Sequence, residues 1–179
     1  ASAGIGAALA TKLNKNKHHV SAVARRADRL AALQQASDYF SGYQADVRDA
    51  DAIADAVSDS VKTFGPVDVA ILNAGIYAPQ DGCKIIPSIY AEHMDVNYMG
   101  VVNGLAAIIP RMLAAGGGQI VIISSVAGWR GLPKAAAYAP TKAALIALAE
   151  SLYFDLTPKN IKIQIMCPGF VDTEATAVN

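Results

Sequence analysis

"GQIVIISS" (residues 118–125) is an apolar run of strand length, opened by glycine and closed by two serines. It lacks the in–out alternation of a strand with one wet face. Both faces are therefore expected under cover, as in a parallel sheet carrying helices on either side. Runs of the same kind recur as "HVSAVA" (19–24), "GYQADV" (42–47), "VDVAIL" (67–72) and "IKIQIMC" (161–167). Between them lie longer, alanine-rich helical patterns at 6–17, 26–36, 48–65, 99–115 and 143–158. Strict alternation of strand and helix requires right-handed crossovers, which predicts a doubly wound parallel α/β sheet in three layers, αβα. No repeat, linker or low-complexity segment interrupts the pattern, so residues 1–179 are expected to form a single domain.

The totals agree. A chain of 179 residues, 53% hydrophobic and 17% charged, can bury a sizeable core. Fifteen basic residues balance fifteen acidic ones, so no electrostatic footprint points to nucleic acid or an anionic membrane. No apolar run in the sequence reaches membrane-span length, and the first residues do not resemble a signal peptide. Cys83 and Cys167 are far apart and make no metal spacing, which favours a reduced, cytoplasmic protein. His18 and His19 have no partner ligands nearby and are read as a turn, so no metal is expected.

"ASAGIGAALA" (1–10) is a glycine turn running into a helix. Such a turn aims backbone N–H groups and a helix N-terminus at a pyrophosphate when a strand precedes it. In a doubly wound sheet that strand is central, between the second and the fourth. Each orphaned buried backbone group costs on the order of 1–3 kcal/mol. The expectation is that the polypeptide is longer, with "PGFVDTEATAVN" (168–179) breaking off within a loop. Either a further strand lies before Ala1, or the strands at 19–24 and 67–72 stand apart by about twice the usual 4.7–4.9 Å. Direct pairing of those two strands would contradict this topology.

"AAAYAPTKAAL" (135–145) places Tyr138 and Lys142 four residues apart, on one face of a helix whose first turn accommodates Pro140. Alone, the pair could simply cover a helix surface. In order along the chain, however, stand "ASAGIG", "LNAG", "DVNYMGVVNG", "IVIISSVAG", "YAPTK" and "CPGFVDT". With all six in register, the chain resembles the short-chain dehydrogenase/reductase family, in its compact single-domain branch, over nearly its whole length. The resemblance implies a Rossmann fold and a tetrad of Asn97, Ser125, Tyr138 and Lys142. Tyr138 would be the acid/base. A free phenol with a pKa near 10 is a poor base at neutral pH, and the Lys142 charge would favour tyrosinate. Ser125, at the end of its strand, would hydrogen-bond the reacting oxygen. Asn97 would hold a water linking the lysine to solvent. Ser124 is one residue off and should face the other side.

The same resemblance implies the cofactor residues. Ser2, Gly4, Ile5 and Gly6 would line the diphosphate and nicotinamide, and Asp46 and Val47 would meet the adenine. Asn73, Ala74 and Gly75 would let the ribose approach the backbone. Pro168 and Gly169 belong to "PGFVDT", whose Thr173 would bind the carboxamide side. An acidic residue ending the strand at 19–24 would select NAD, but Ala24 is followed by Arg25 and Arg26. Arginine bonds phosphate with charge assistance, so NADP is favoured over NAD, with Arg25 the better candidate and Arg26 the better helix opener. Ala3 departs from the basic residue some NADP users carry before the second glycine. Trp129 and Tyr77 lie near enough in sequence to reach a pocket, and the sequence does not decide whether they do. Arg130 is read as a solvated loop residue, Cys167 as a buried hydrophobe, and Met94 and Met99 as packing.

The expected activity is NADP(H)-dependent interconversion of a small-molecule carbonyl and a secondary alcohol. The alternatives are an NAD-linked alcohol dehydrogenase of the same family and a non-catalytic NAD(P)-binding sensor or assembly protein. A binder has no use for all four tetrad residues. Helices at 99–115 and 139–156 are apolar around much of their circumference, more than one sheet needs. Similar proteins pair these helices across a two-fold axis, so a homodimer or homotetramer is expected.

Overall fold

The computed structural model describes residues 2–173. Helix α1 (Gly4–Lys15) follows the glycine turn and leads to β1 (Val20–Ala24), α2 (Ala27–Gln35), β2 (Phe40–Gln44), α3 (Ala50–Phe64) and β3 (Val69–Leu72). Then come α4 (Pro87–Met94), a π-helical turn (Asp95–Met99), α5 (Gly100–Ala115), β4 (Gly118–Ile123), α6 (Ala139–Leu156) and β5 (Ile161–Met166). The loop expected from Pro168 onward is described as far as Thr173, and residues 174–179 lie outside the described residues.

Local chemistry sets the ends. Asp49 caps α3 by accepting the Ala52 N–H at 3.0 Å, and Gly65 ends it at φ +84°, a conformation costly for other residues. The strand expected at 42–47 starts two residues earlier and ends three residues earlier, at Phe40–Gln44. Buried Phe40 pairs with Val20, whereas Asp46 is already in a turn, its carbonyl accepting the Asp49 N–H. The helix expected to begin at 99 instead continues from α4 through the π turn. That makes Pro87–Ala115 a 29-residue helix, long and apolar enough to cross a membrane by length and composition. The sequence expectation of no such run is corrected here. Val101, Leu105, Ile108 and Met112 of this helix are buried in the core, as befits a central helix of a packed domain.

All pairings are parallel, and the sheet is in two parts: β1 with β2, and β3–β4–β5 in that order. β1 and β3 do not pair, as the topology argument expects. The parts are joined by side chains: Ala45, Ile53 and Ala107 are buried together, with Val23 and Val47 against them. Gly100 permits this joint, since a Cβ there would lie 2.6 Å from Val47 Cγ2. In β4, Ile120, Val121, Ile122 and Ile123 are all buried, so both faces are covered. The strands' C-terminal ends therefore open together beside the glycine turn, where doubly wound folds keep their ligand crevice.

Candidate active site

Tyr138 is the last residue before α6, and Lys142 lies one turn on, its Nζ 5.6 Å from the phenol ring centroid. Lys142 is buried and donates to the Ile123 carbonyl at the end of β4, at 2.9 Å. Burial pushes its amine down to about 8, so it remains largely cationic at neutral pH. Burial raises the Tyr138 pKa, a hydrogen bond with Ser125 draws it back, and Tyr77 adds an upward push. A phenol in that setting keeps its proton at neutral pH and has it available for an acceptor. Ser125 Oγ accepts the Ala127 N–H at 3.1 Å, which holds the side chain toward Tyr138. Ser124 turns the other way, donating to the Lys142 carbonyl at 2.8 Å, as its register requires.

Asn97 is fully buried within the π turn, a distortion that recurs at functional sites. Its Oδ1 accepts the Ile76 N–H at 2.7 Å, while Nδ2 donates to the Ile76 carbonyl at 3.0 Å and to Thr141 Oγ1 at 3.1 Å. Both amide protons are thus committed to protein partners. Thr141 in turn donates to the Tyr138 carbonyl at 2.7 Å. Sequence reasoning missed Thr141, although a hydroxyl three residues after Tyr138 on a helix was available as a signal. It also missed His93, which is fully buried in α4 and accepts the Ala78 N–H on Nε2 at 3.2 Å.

A cleft of about 740 Å³ runs from the glycine turn to this cluster. Its lining includes Gly4, Ile5 and Arg26, Asn73 and Gly75, and Ser125, Tyr138 and Lys142. Pro168, Gly169 and Thr173 form a further wall. Gly4 sits at φ +54°, and a Cβ there would meet Thr173 Cγ2 at 3.3 Å, so only glycine leaves this backbone open. A Cβ at Gly75 would lie 3.3 Å from Asn97 Oδ1 and 3.5 Å from Lys142 Nζ. A cleft with bare backbone at both places and an arginine in its lining fits a dinucleotide.

Other expected cofactor residues stand outside this lining. Ser2 Oγ accepts from Arg26 Nε at 3.1 Å behind the turn, and Gly6 is buried within α1. Ala74 is not among the lining residues. Val47 packs at the joint, its carbonyl accepting from Asn103 Nδ2 at 2.9 Å. Asp46 is held by Arg48 at 2.7 Å, chiefly through that side-chain bond, with its carboxyl at about 2. Of Arg25 and Arg26, the structure places Arg26 in the cleft lining. Both lie beyond β1, Arg25 in a bend and Arg26 at the N-cap of α2. The Arg25 carbonyl accepts from Gln44 Nε2 at 3.2 Å, back toward β2.

The short chain dehydrogenase family model matches residues 1–179. An uncharacterized oxidoreductase of Myxococcus xanthus is 33% identical over 100% of this chain and 72% of its own length. A short-chain dehydrogenase from Streptomyces avermitilis superposes with a TM-score of 0.90 at 30% identity, over 97% of this chain and 64% of that one. ElxO, solved with NADP bound, gives a TM-score of 0.91 at 29% identity, over 98% of this chain and 73% of its own. The chain thus spans about two thirds to three quarters of the length of these proteins.

Proposed function

The chain belongs to the short-chain dehydrogenase family, and on that premise we propose that it is an NADP(H)-dependent oxidoreductase interconverting a carbonyl and a secondary alcohol. The observation that carries the proposal is the convergence of Tyr138, Ser125 and Lys142 in one cleft whose lining also holds Gly4 and Arg26. A bound nicotinamide supplies or accepts the hydride. Tyr138 donates its proton to the carbonyl oxygen in reduction and takes the alcohol proton in oxidation. Ser125 hydrogen-bonds the same oxygen as charge develops on it. Lys142, fixed by the Ile123 carbonyl, places a positive charge beside the tyrosinate that proton transfer leaves. Asn97 and Thr141 hold the Tyr138 backbone and the 76 segment in mutual register. Arg26 favours NADP by pairing with a 2′-phosphate, and the NADP complex of the ElxO relative supports that choice. The two free cysteines suit a reducing, cytoplasmic setting.

Ser125→Ala tests the proton-transfer assignment. The Ser125 hydrogen bond lowers the Tyr138 pKa, so its removal raises it further. The alkaline limb of alcohol oxidation, where deprotonated Tyr138 accumulates, then moves to higher pH. An unmoved limb would remove Ser125 from that role.

The protein is also proposed to be a homodimer or homotetramer. Tyr153 and Phe154 on α6 are 51% and 75% exposed, and Met99 and Leu113 are exposed along the other long helix. Light scattering of the full-length protein at micromolar concentration should give twice or four times the chain mass, and monomer alone would refute this.

A further inference from the structure

We infer that the substrate is an uncharged carbonyl compound with a flat, ring-sized apolar group beside the carbonyl, and that Tyr77 seats that group. The inference rests on reading Tyr138 as the proton donor. Tyr77 follows β3 and lines the cleft, its ring edge-on to that of Tyr138 with centroids 5.2 Å apart and planes at 71°. Its backbone is gripped on both sides. Asn97 takes both the N–H and the carbonyl of Ile76, and His93 takes the Ala78 N–H. His93 is itself fixed, its Nδ1 2.7 Å from the Ile89 carbonyl. These two buried side chains are one helical turn apart, beneath one short segment. The Gln80 N–H then bonds the Lys134 carbonyl at 2.9 Å, tying that segment to the loop before Tyr138. An aromatic wall held so firmly is pre-organised for an aromatic partner.

The described surroundings of Tyr138 are largely apolar. Ala127, Ala135 and Ala139 are buried beside Tyr138, with Leu132 and Tyr77 packed against them. Among the described residues the cleft holds two cationic side chains. Lys142 is buried, donates to the Ile123 carbonyl and serves the tyrosinate, and Arg26 bonds Ser2 beside the glycine turn. Lys134 lines a separate surface hollow with Gln80 and Asp81, and Arg130 is exposed outside the cleft lining. A carboxylate, phosphate or sulfonate next to the carbonyl would lose water and meet, among the described residues, no exposed cationic side chain beside Tyr138.

The full-length enzyme should be assayed with NADPH against acetophenone, butanone and levulinate. The expected kcat/KM for acetophenone exceeds that for butanone by roughly tenfold or more, as an added apolar pocket contact allows, and that for levulinate by a wider margin. Tyr77→Ala should collapse the acetophenone-over-butanone preference, chiefly through KM, and Tyr77→Phe should recover most of it. Saturation-transfer NMR on the same proteins reads binding without turnover: acetophenone ring protons receive transfer from wild type and lose it with Tyr77→Ala. Preference for levulinate, or a preference unchanged by Tyr77→Ala, overturns the inference. If no ketone is reduced yet the ring signal is present and depends on Tyr77, the seat stands and the oxidoreductase reading fails. Absence of both turnover and ring signal overturns the inference.

Discussion

Tyr138→Phe should lower turnover by more than about 100-fold, the range expected when a general acid is removed. NADPH affinity should stay nearly unchanged. The substitution deletes one oxygen and keeps the ring, so the edge contact with Tyr77 and the approach of Lys142 Nζ both survive. What disappears is the proton that the setting of Tyr138 holds in place at neutral pH. Loss confined to the rate, with cofactor binding intact by fluorescence titration, separates chemistry from folding. A variant retaining more than a tenth of wild-type turnover would remove Tyr138 from the mechanism.

The second large effect concerns cofactor choice. Replacing Arg25 and Arg26 together by alanine should weaken NADPH about 10- to 150-fold, the equivalent of about 1.5–3 kcal/mol for a charged hydrogen bond to phosphate. NADH affinity should change much less, because it lacks the phosphate. Arg26→Ala should carry the larger share, since Arg26 faces the cleft beside Gly4 and Ile5 while Arg25 does not. Titrating each single variant and the double with both cofactors checks this. Equal loss for NADPH and NADH would make the arginines structural and cancel the NADP assignment.

Much of the fold was legible because burial on both faces leaves a simple mark. The run at 118–125 contains β4, buried on both faces from Ile120 to Ile123. The run at 161–167 contains β5, whose Ile–Lys–Ile–Gln–Ile alternation matches one covered and one exposed face. The strand at 40–44 was misplaced because Ser41, Gly42 and Gln44 blur its pattern and Ala45 and Val47 extend it falsely. Helix α4 was not read at all. "PSIYAEHM" is short and mixed, and it becomes helical as the first turns of a helix buried farther along. The π turn has no local signature, because it is set by how that helix meets the Ile76 backbone through Asn97.

The site divides in the same way. Tyr138, Lys142 and Ser125 were picked out by six motifs standing in register along the chain, since the Tyr138–Lys142 spacing alone fits a plain helix surface equally well. The grips made by Thr141 and His93 join residues 44 and 15 positions apart respectively, and no periodicity encodes them. Arg26 rather than Arg25 lines the cleft because of how the chain turns between β1 and α2, which two adjacent like charges do not reveal. Tyr77 needed the same kind of information, since only the folded chain brings its ring to that of Tyr138.

The central claim is that this cleft transfers a hydride between NADP and a carbonyl carbon while Tyr138 moves the proton. Absorbance at the reduced-nicotinamide band, followed while the full-length protein is mixed with NADPH and a set of uncharged ketones, tests it most directly. The account predicts steady oxidation of NADPH that requires the ketone, runs faster than with NADH, and yields one secondary alcohol per NADPH consumed. Tight NADPH binding with no ketone-dependent oxidation across the set would contradict it and leave a cofactor-binding protein in its place.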